Sequence, residues 1–484
     1  MKQLLFVTAL LITLLTQQCV YAQSADTQEK IQKVEKNLVP DIQIEGEGPR
    51  GIAERMAKFN IKGLSIAVIH NYRIEWAKGY GWADDSLRIP VSTKTLFQAA
   101  SISKSLNAVG VLRLVQKHKI DLYADINTYL INWKFPYDSL SKNKKISVAN
   151  LLSHTGGLKV HGFGGYQQGK TIPTIEQILD GVKPANSPAI RSMNEPGLKS
   201  EYSGGGITIS QMIVMDVTHK SYDKYMYKKV LRPLGMKNST YTQPPVRFSP
   251  ELLATGYRLD GQQLKGKYHI YPEQAAAGLW TNPTDLAKYI IETQLAYAGR
   301  SNKVLNQETT LLRLTPYMDK SAAFGVFIEE LDSTRYFGHG GANEGFRSQY
   351  YGSLEGGNGV VVMVNSDNSD IIPEIINSVA KVYGFKGLNR SKLKKIEKVA
   401  DSVLESYAGK YQMDPKTIIT ITHQGGQLYA QPTGSSKVEI FPETQNKFFL
   451  KALPIEVEFI RDDKGEINKL IIYENGQHDA KRVK

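Results

Sequence analysis

Ser101 and Lys104 stand three residues apart in FQAASISKSLNAVG (residues 97–110), where an apolar stretch begins. On a helix that spacing puts both side chains on one face, with Cβ atoms about 5–6 Å apart. Ser101 falls in the first turn, where unpaired backbone N–H groups and the positive helix end point outward. Behind it, Leu106, Val109, Val111, Leu112, Leu114 and Val115 are apolar on nearly every side, which predicts a helix buried within a domain. Burial pushes the Lys104 amine toward its neutral form. A neutral amine beside a hydroxyl can take the serine proton, and the alkoxide can attack an acyl carbon. The same spacing recurs at Ser139–Lys142, Ser141–Lys144 and Ser391–Lys394, in polar segments with no buried helix to desolvate the lysine. From spacing alone, a plain capped helix start remains the competing reading for Ser101.

Three later stretches bear on that choice: ISVANLLSHTGGL (146–158), KSEYSGGG (199–206) and FGHGGANEGF (337–346). With FQAASISKS, and with RPLGMKNSTY (232–241) and AAAGLWTNPTDLAKY (275–289), they resemble the serine β-lactamase and penicillin-binding-protein superfamily. The nearest branch is that of class C β-lactamases, serine esterases and D-amino-acid peptidases, and the resemblance covers roughly residues 50 to 385. It implies that Ser101 is the nucleophile of an S-x-x-K motif, Lys104 its partner, and Tyr202 the tyrosine that relays a proton to the leaving group. Which of the two is the general base is disputed within such families. His339, Gly340 and Gly341 take the place of the K-T-G strand motif as substrate-binding residues, together with Ser203. The backbone amides of Ser101 and Ala342 would form the oxyanion hole. His154 reads as a structural loop residue.

The pattern departs from the family at two positions. Gly204 replaces the asparagine that grips the β-lactam amide, and His339 replaces a lysine, so no fixed charge awaits a substrate carboxylate. Both departures favour an esterase or peptidase acting on esters, amides or D-amino-acid peptides through an acyl-enzyme. The alternatives are a true class C-like β-lactamase, and a non-hydrolytic penicillin-binding-like protein that holds peptidoglycan fragments. No H-E-x-x-H or comparable histidine cluster is present, so neither metal nor cofactor is expected.

The elements that must position these residues are legible as a pattern. GLSIAVIHNYRIEWAKGYG (63–81) reads as a β-hairpin turning at His70-Asn71, and residues 323–365 return to strand character before a helix at about 371–383. Strands, then a long helical middle, then strands and a closing helix predict an α/β (α+β) fold. Its antiparallel sheet is flanked by helices, with a helical lobe inserted between its parts. Residues 386–402 are charged and helix-prone, and read as a linker. From Tyr407, short alternating strands with glycine turns predict a small antiparallel β-barrel, similar to the lipocalin-like appendages some of these hydrolases carry. The expected organisation is a signal peptide at 1–22, a hydrolase domain at 23–385, a linker at 386–402 and a barrel domain at 403–484.

The first residues, MKQLLFVTALLITLLTQQCVYAQSAD, place a lysine before a short apolar run and small residues ahead of Gln23, a secretory signal with cleavage after Ala22. Cleavage removes Cys19, the single cysteine, and with it disulfides, thiolate catalysis and cysteine-bound zinc. The mature chain is therefore expected in a secreted or periplasmic location without an integral membrane segment. The formal charge of +13 permits attraction to anionic envelope polymers or membranes, but the cations look scattered and read as a solvated surface. A nucleic-acid partner is not expected, and the sequence leaves the oligomeric state open.

Overall fold

The computed structural model describes residues 25–451, 453, 455–474 and 476–483. The expected signal peptide, with Cys19, lies outside the described residues. The chain divides into two compact units, Ile52–Leu388 with the N-terminal residues up to Glu35, and Asn389–Lys484 with Lys36–Gly51.

The first unit is built on a seven-stranded antiparallel sheet. Its strands are β1 (Gly63–His70), β2 (Arg73–Asp84), β3 (Ile89–Pro90), β4 (Phe327–Leu331), β5 (Thr334–Asn343), β6 (Phe346–Ser353) and β7 (Gly359–Val364), in the order β3-β2-β1-β7-β6-β5-β4. The expected hairpin is β1–β2, with Asn71 and Tyr72 in the left-handed region at its turn. β1 and β7 are the central pair, and their runs LSIAVI and VVVMV are buried on both faces, as continuous apolar strands must be. The helix Pro283–Tyr297 packs against β1, β2, β6 and β7, and the helix Ile371–Tyr383 against β7. Between β3 and β4 the chain forms the helical lobe, whose core includes Leu106, Leu112, Leu151, Ile207 and Ile213.

The second unit is a closed barrel of eight antiparallel strands running from Gly409–Gln412 to Gln477–Val483, sealed where Tyr411 pairs with Arg482. Its interior is filled by Tyr411, Phe448, Phe459 and Leu470 among others, so the lumen is a core. Gly425 and Gly426, both at positive φ, make the hairpin turn that HQGG announces. Two stretches differ from expectation. Residues 36–51 group with the barrel rather than with the hydrolase unit, because Ile42–Ile44 pairs in parallel with Lys392–Lys394. The same pairing holds part of the helix-prone 386–402 segment extended, and the helix begins only at Asp401. Among the described residues, no helix is long and apolar enough to cross a membrane.

Candidate active site

The helix expected after Ser101 is α1 (Ser103–Gln116), preceded by a single 3-10 turn over Ala100–Ile102. Ala100 holds φ at +49°, a left-handed conformation that an alanine adopts only under constraint, and it lies directly before the nucleophile candidate. Every residue of α1 from Ser103 to Leu112 is buried, so each polar side chain needs a partner. Ser103 donates to Ala100 O and accepts from the Leu279 N–H, Asn107 donates to Ser210, and Ser105 accepts from Tyr350.

Lys104 is 2% exposed, and its Nζ lies 2.8 Å from Ser101 Oγ and 2.7 Å from the carbonyl oxygen of Ala276. Among the described residues it has no carboxylate partner. Burial alone lowers its amine from 10.5 to about 7. A neutral amine suits both contacts: an N–H donates to Ala276, and the lone pair accepts the Ser101 hydroxyl proton.

Tyr202 closes the third side. Its ring lies 4.9 Å from Lys104 Nζ, and its hydroxyl hydrogen-bonds with Ser101. Burial raises the phenol well above its ordinary range, outweighing the opposing effect of Ser101, so it keeps its proton at neutral pH. The histidines His154, His161 and His339 surround this ring at 4.4, 4.8 and 6.1 Å between centroids. His339 Nδ1 lies 2.6 Å from Gly340 O, an obligate acceptor, so Nδ1 carries the proton and the buried Nε2 presents an unpaired lone pair. His154 has the opposite tautomer: Nδ1 accepts from the Ser203 N–H, and Nε2–H is the unpaired buried donor. Burial, then the charge on Lys104, pushes His339 down to about 3 and His154 well below the usual range, so both rings are neutral.

β5 brings the glycines to the nucleophile. β4 pairs with β5 only as far as Gly338, so among the described strands His339–Asn343 is paired on the β6 side alone. A Cβ on Gly341 would lie 2.2 Å from Ala99 O and 2.3 Å from Ser348 Oγ. The glycine therefore lets this strand approach the segment carrying Ser101, and Ala342 follows it.

A family model described as Beta-lactamase matches residues 50–375. The chain belongs to the beta-lactamase family. A second model, a domain of unknown function (DUF3471), matches residues 393–483, the span of the barrel. Protein flp of Staphylococcus aureus strain N315 is 23% identical over 333 residues, 67% of this chain and 64% of the relative, so the chain spans about two-thirds of that protein's length. The octameric penicillin-binding protein homologue from Pyrococcus abyssi shares the fold with a TM-score of 0.62 at 21% identity, covering 88% of this chain and 98% of that one. The D-amino acid amidase from Ochrobactrum anthropi SV3, complexed with L-phenylalanine amide, shares it with a TM-score of 0.57 at 22% identity, covering 74% and 99%.

Within this beta-lactamase-family unit, Ser101, Lys104, Tyr202 and His339 come together around one point. The side chain of Ser203, expected to bind substrate, is engaged within the fold. Its Oγ accepts the Gly206 N–H and donates to Lys159 O, capping the helix Gly204–Thr218. Ser-Gly-Gly-Gly at a helix start is a cap signal, and the cap uses that oxygen. His154 is a loop residue, but one packed on the tyrosine, which its SHTGG context did not reveal. The Ala276 carbonyl and the Phe327 ring against His339 carry no sequence signal, since they reach the site only by folding. Of the lysines at the same spacing, Lys144 pairs with Glu195, while Lys394 is buried, contrary to expectation, and is held charged by Glu443 and Glu456.

Proposed function

We propose that this protein is an exported serine hydrolase that opens ester or amide bonds through an acyl-enzyme on Ser101. The observation that carries the reading is the buried, carboxylate-free Lys104 amine 2.8 Å from Ser101 Oγ. Lys104 takes the hydroxyl proton as Ser101 attacks the acyl carbon, and the carbonyl electrons move onto its oxygen. The Ser101 and Ala342 amides face that oxyanion. As the intermediate collapses, the leaving oxygen or nitrogen takes the proton from Lys104 through the Tyr202 hydroxyl. Water, deprotonated by the same route, then releases the acid and restores Ser101. With the tyrosine phenol raised and the lysine lowered to about 7, Lys104 is the base and Tyr202 the relay.

The neutral His339 narrows the substrate class. Its free Nε2 accepts a hydrogen bond and would repel a carboxylate, which favours esters, amides and the N-terminal residues of D-amino-acid peptides. The amidase likeness supports this choice through fold alone. Gly204 offers no amide side chain, and a Cβ there would lie 3.0 Å from His161 O, which disfavours a β-lactam ring held in the usual way.

The test is intact mass after exposure to a fluorophosphonate probe and to a fluorescent penicillin, for wild type and Ser101→Ala. A probe adduct absent from the variant is expected. Rapid penicillin turnover would favour the β-lactamase reading, and no adduct from either reagent would favour a non-hydrolytic binding protein. A panel of p-nitrophenyl esters and D-alanyl amides then fixes the class.

A further inference from the structure

The cations are not scattered everywhere. In KSYDKYMYKKVLRPLGMK (220–237), Lys220, Lys224, Lys228 and Arg232 recur at intervals of four, and all four are exposed. Lys224 lies in the helix Tyr222–Met226 and Lys228 in the π-turn Tyr227–Leu231 that continues it; Lys220 precedes the helix, and Arg232 follows the π-turn with its N–H bonded to Tyr227 O at 2.9 Å. In a regular helix every fourth residue drifts by about 40°. The wider π-turn holds more residues per turn, which reduces that drift between Lys224 and Arg232. The opposite face, with Tyr222, Tyr225, Met226, Val230 and Leu231, is buried and fixes the stripe outward. Like charges at this spacing repel, yet none of the four, nor the nearby Lys237, has an anionic partner among the described residues. Asp223, the one acid of the segment, accepts instead from Thr242.

Apolar surface lies beside the stripe. Val246 is 77% exposed, the highest value among the large apolar residues, and Tyr227 is 39% exposed. Between them Arg247 stacks its guanidinium 4.7 Å from the Tyr227 ring and 4.5 Å from Phe248. We infer that this face docks on a bilayer surface rich in anionic lipid, with the stripe over the headgroup phosphates and Val246 and Tyr227 entering the interface. A line of unpaired cations with an exposed apolar edge is the composition of an interfacial membrane helix. A soluble polyanion would match the charges and leave the apolar edge without a role. The four cations are exposed and make none of the contacts described for Ser101, Lys104, Tyr202 and His339, so substitutions there leave the Ser101 chemistry intact.

Full-length protein is sedimented with phosphatidylcholine vesicles, with and without phosphatidylglycerol, at low and high salt. Binding is expected only with the anionic lipid, and it should weaken with salt. Lys220→Gln/Lys224→Gln/Lys228→Gln/Arg232→Gln should lower partitioning about 10²–10³-fold, at ~1 kcal/mol per cation. Val246→Ser should lower it as well, with the net charge unchanged. Unchanged thermal melting and fluorophosphonate labelling certify both variants as folded. Equal binding to neutral vesicles, or retained binding by the quadruple variant, overturns the inference. So does binding to polyphosphate in solution without binding to the anionic vesicles.

Discussion

If Lys104 is the base, acylation must follow the neutral fraction of one amine. Burial sets that amine at about 7. Moving from about pH 6 to about pH 8 then raises the reactive fraction from about 10% to about 90%, close to tenfold in rate. The assay is the second-order rate of fluorophosphonate labelling at Ser101, because fluoride departs without a proton and only the base step is read. His339, at about 3, and Tyr202, raised far above neutrality, do not titrate in this window. Glu273, lifted to about 8 by burial, does, so the limb must persist in Glu273→Gln. The shift comes from desolvation rather than an ion pair, so salt should leave the midpoint in place. A flat rate across the window refutes the reasoning. So does a limb that starts only in the alkaline range and disappears in Tyr202→Phe, since that would make the phenolate the base.

The remaining expectations concern stability. Lys104 is lowered from 10.5 to about 7 on folding, so the unfolded chain binds more protons between those values and wild-type stability rises with pH across that window. Keeping the amine neutral near pH 7 costs about 4 kcal/mol, so Lys104→Met should lose labelling yet gain about 1–3 kcal/mol in denaturant titration, after the lost hydrogen bonds are discounted. Glu273 runs the other way: raised from 4.5 to about 8, it gives stability that is full in acid and falls as pH rises through that range, a slope Glu273→Gln should remove. Arg55 pairs with Glu374 in the core, Nε to Oε2 at 2.7 Å, so Arg55→Ala should cost about 3–5 kcal/mol in urea unfolding, and Arg55→Met/Glu374→Leu less. Gly341→Ala should push β5 from Ala99, destabilising by about 1–3 kcal/mol and slowing labelling more than Gly340→Ala, whose Cβ meets only the end of Gln349 within 3 Å.

Periodicity in the chain announced the hairpin of β1 and β2, the buried α1, the closing helix and the barrel strands, because each is a local pattern of apolar residues. The Ser101–Lys104 pair was legible for the same reason: its spacing and the apolar run behind it lie within one short stretch, a 3-10 turn that runs into α1. Pairings between distant segments were not legible. Nothing in residues 36–51 marks them as partners of Lys392–Lys394, and nothing in the YSGGG run says that Ser203 is held by a helix cap.

Sequence alone thus nominated Ser101, Lys104 and Tyr202 and determined that the lysine would be buried. Only the tertiary structure decided their protonation and company: the Ala276 carbonyl that takes an N–H of Lys104, and the Gly340 carbonyl that leaves His339 Nε2 a bare acceptor. It also set Lys104 apart from the other lysines at this spacing, because desolvation and ion pairing depend on what the rest of the chain packs around a lysine. That packing is a sum over contacts from every part of the lobe, and no local spacing encodes it.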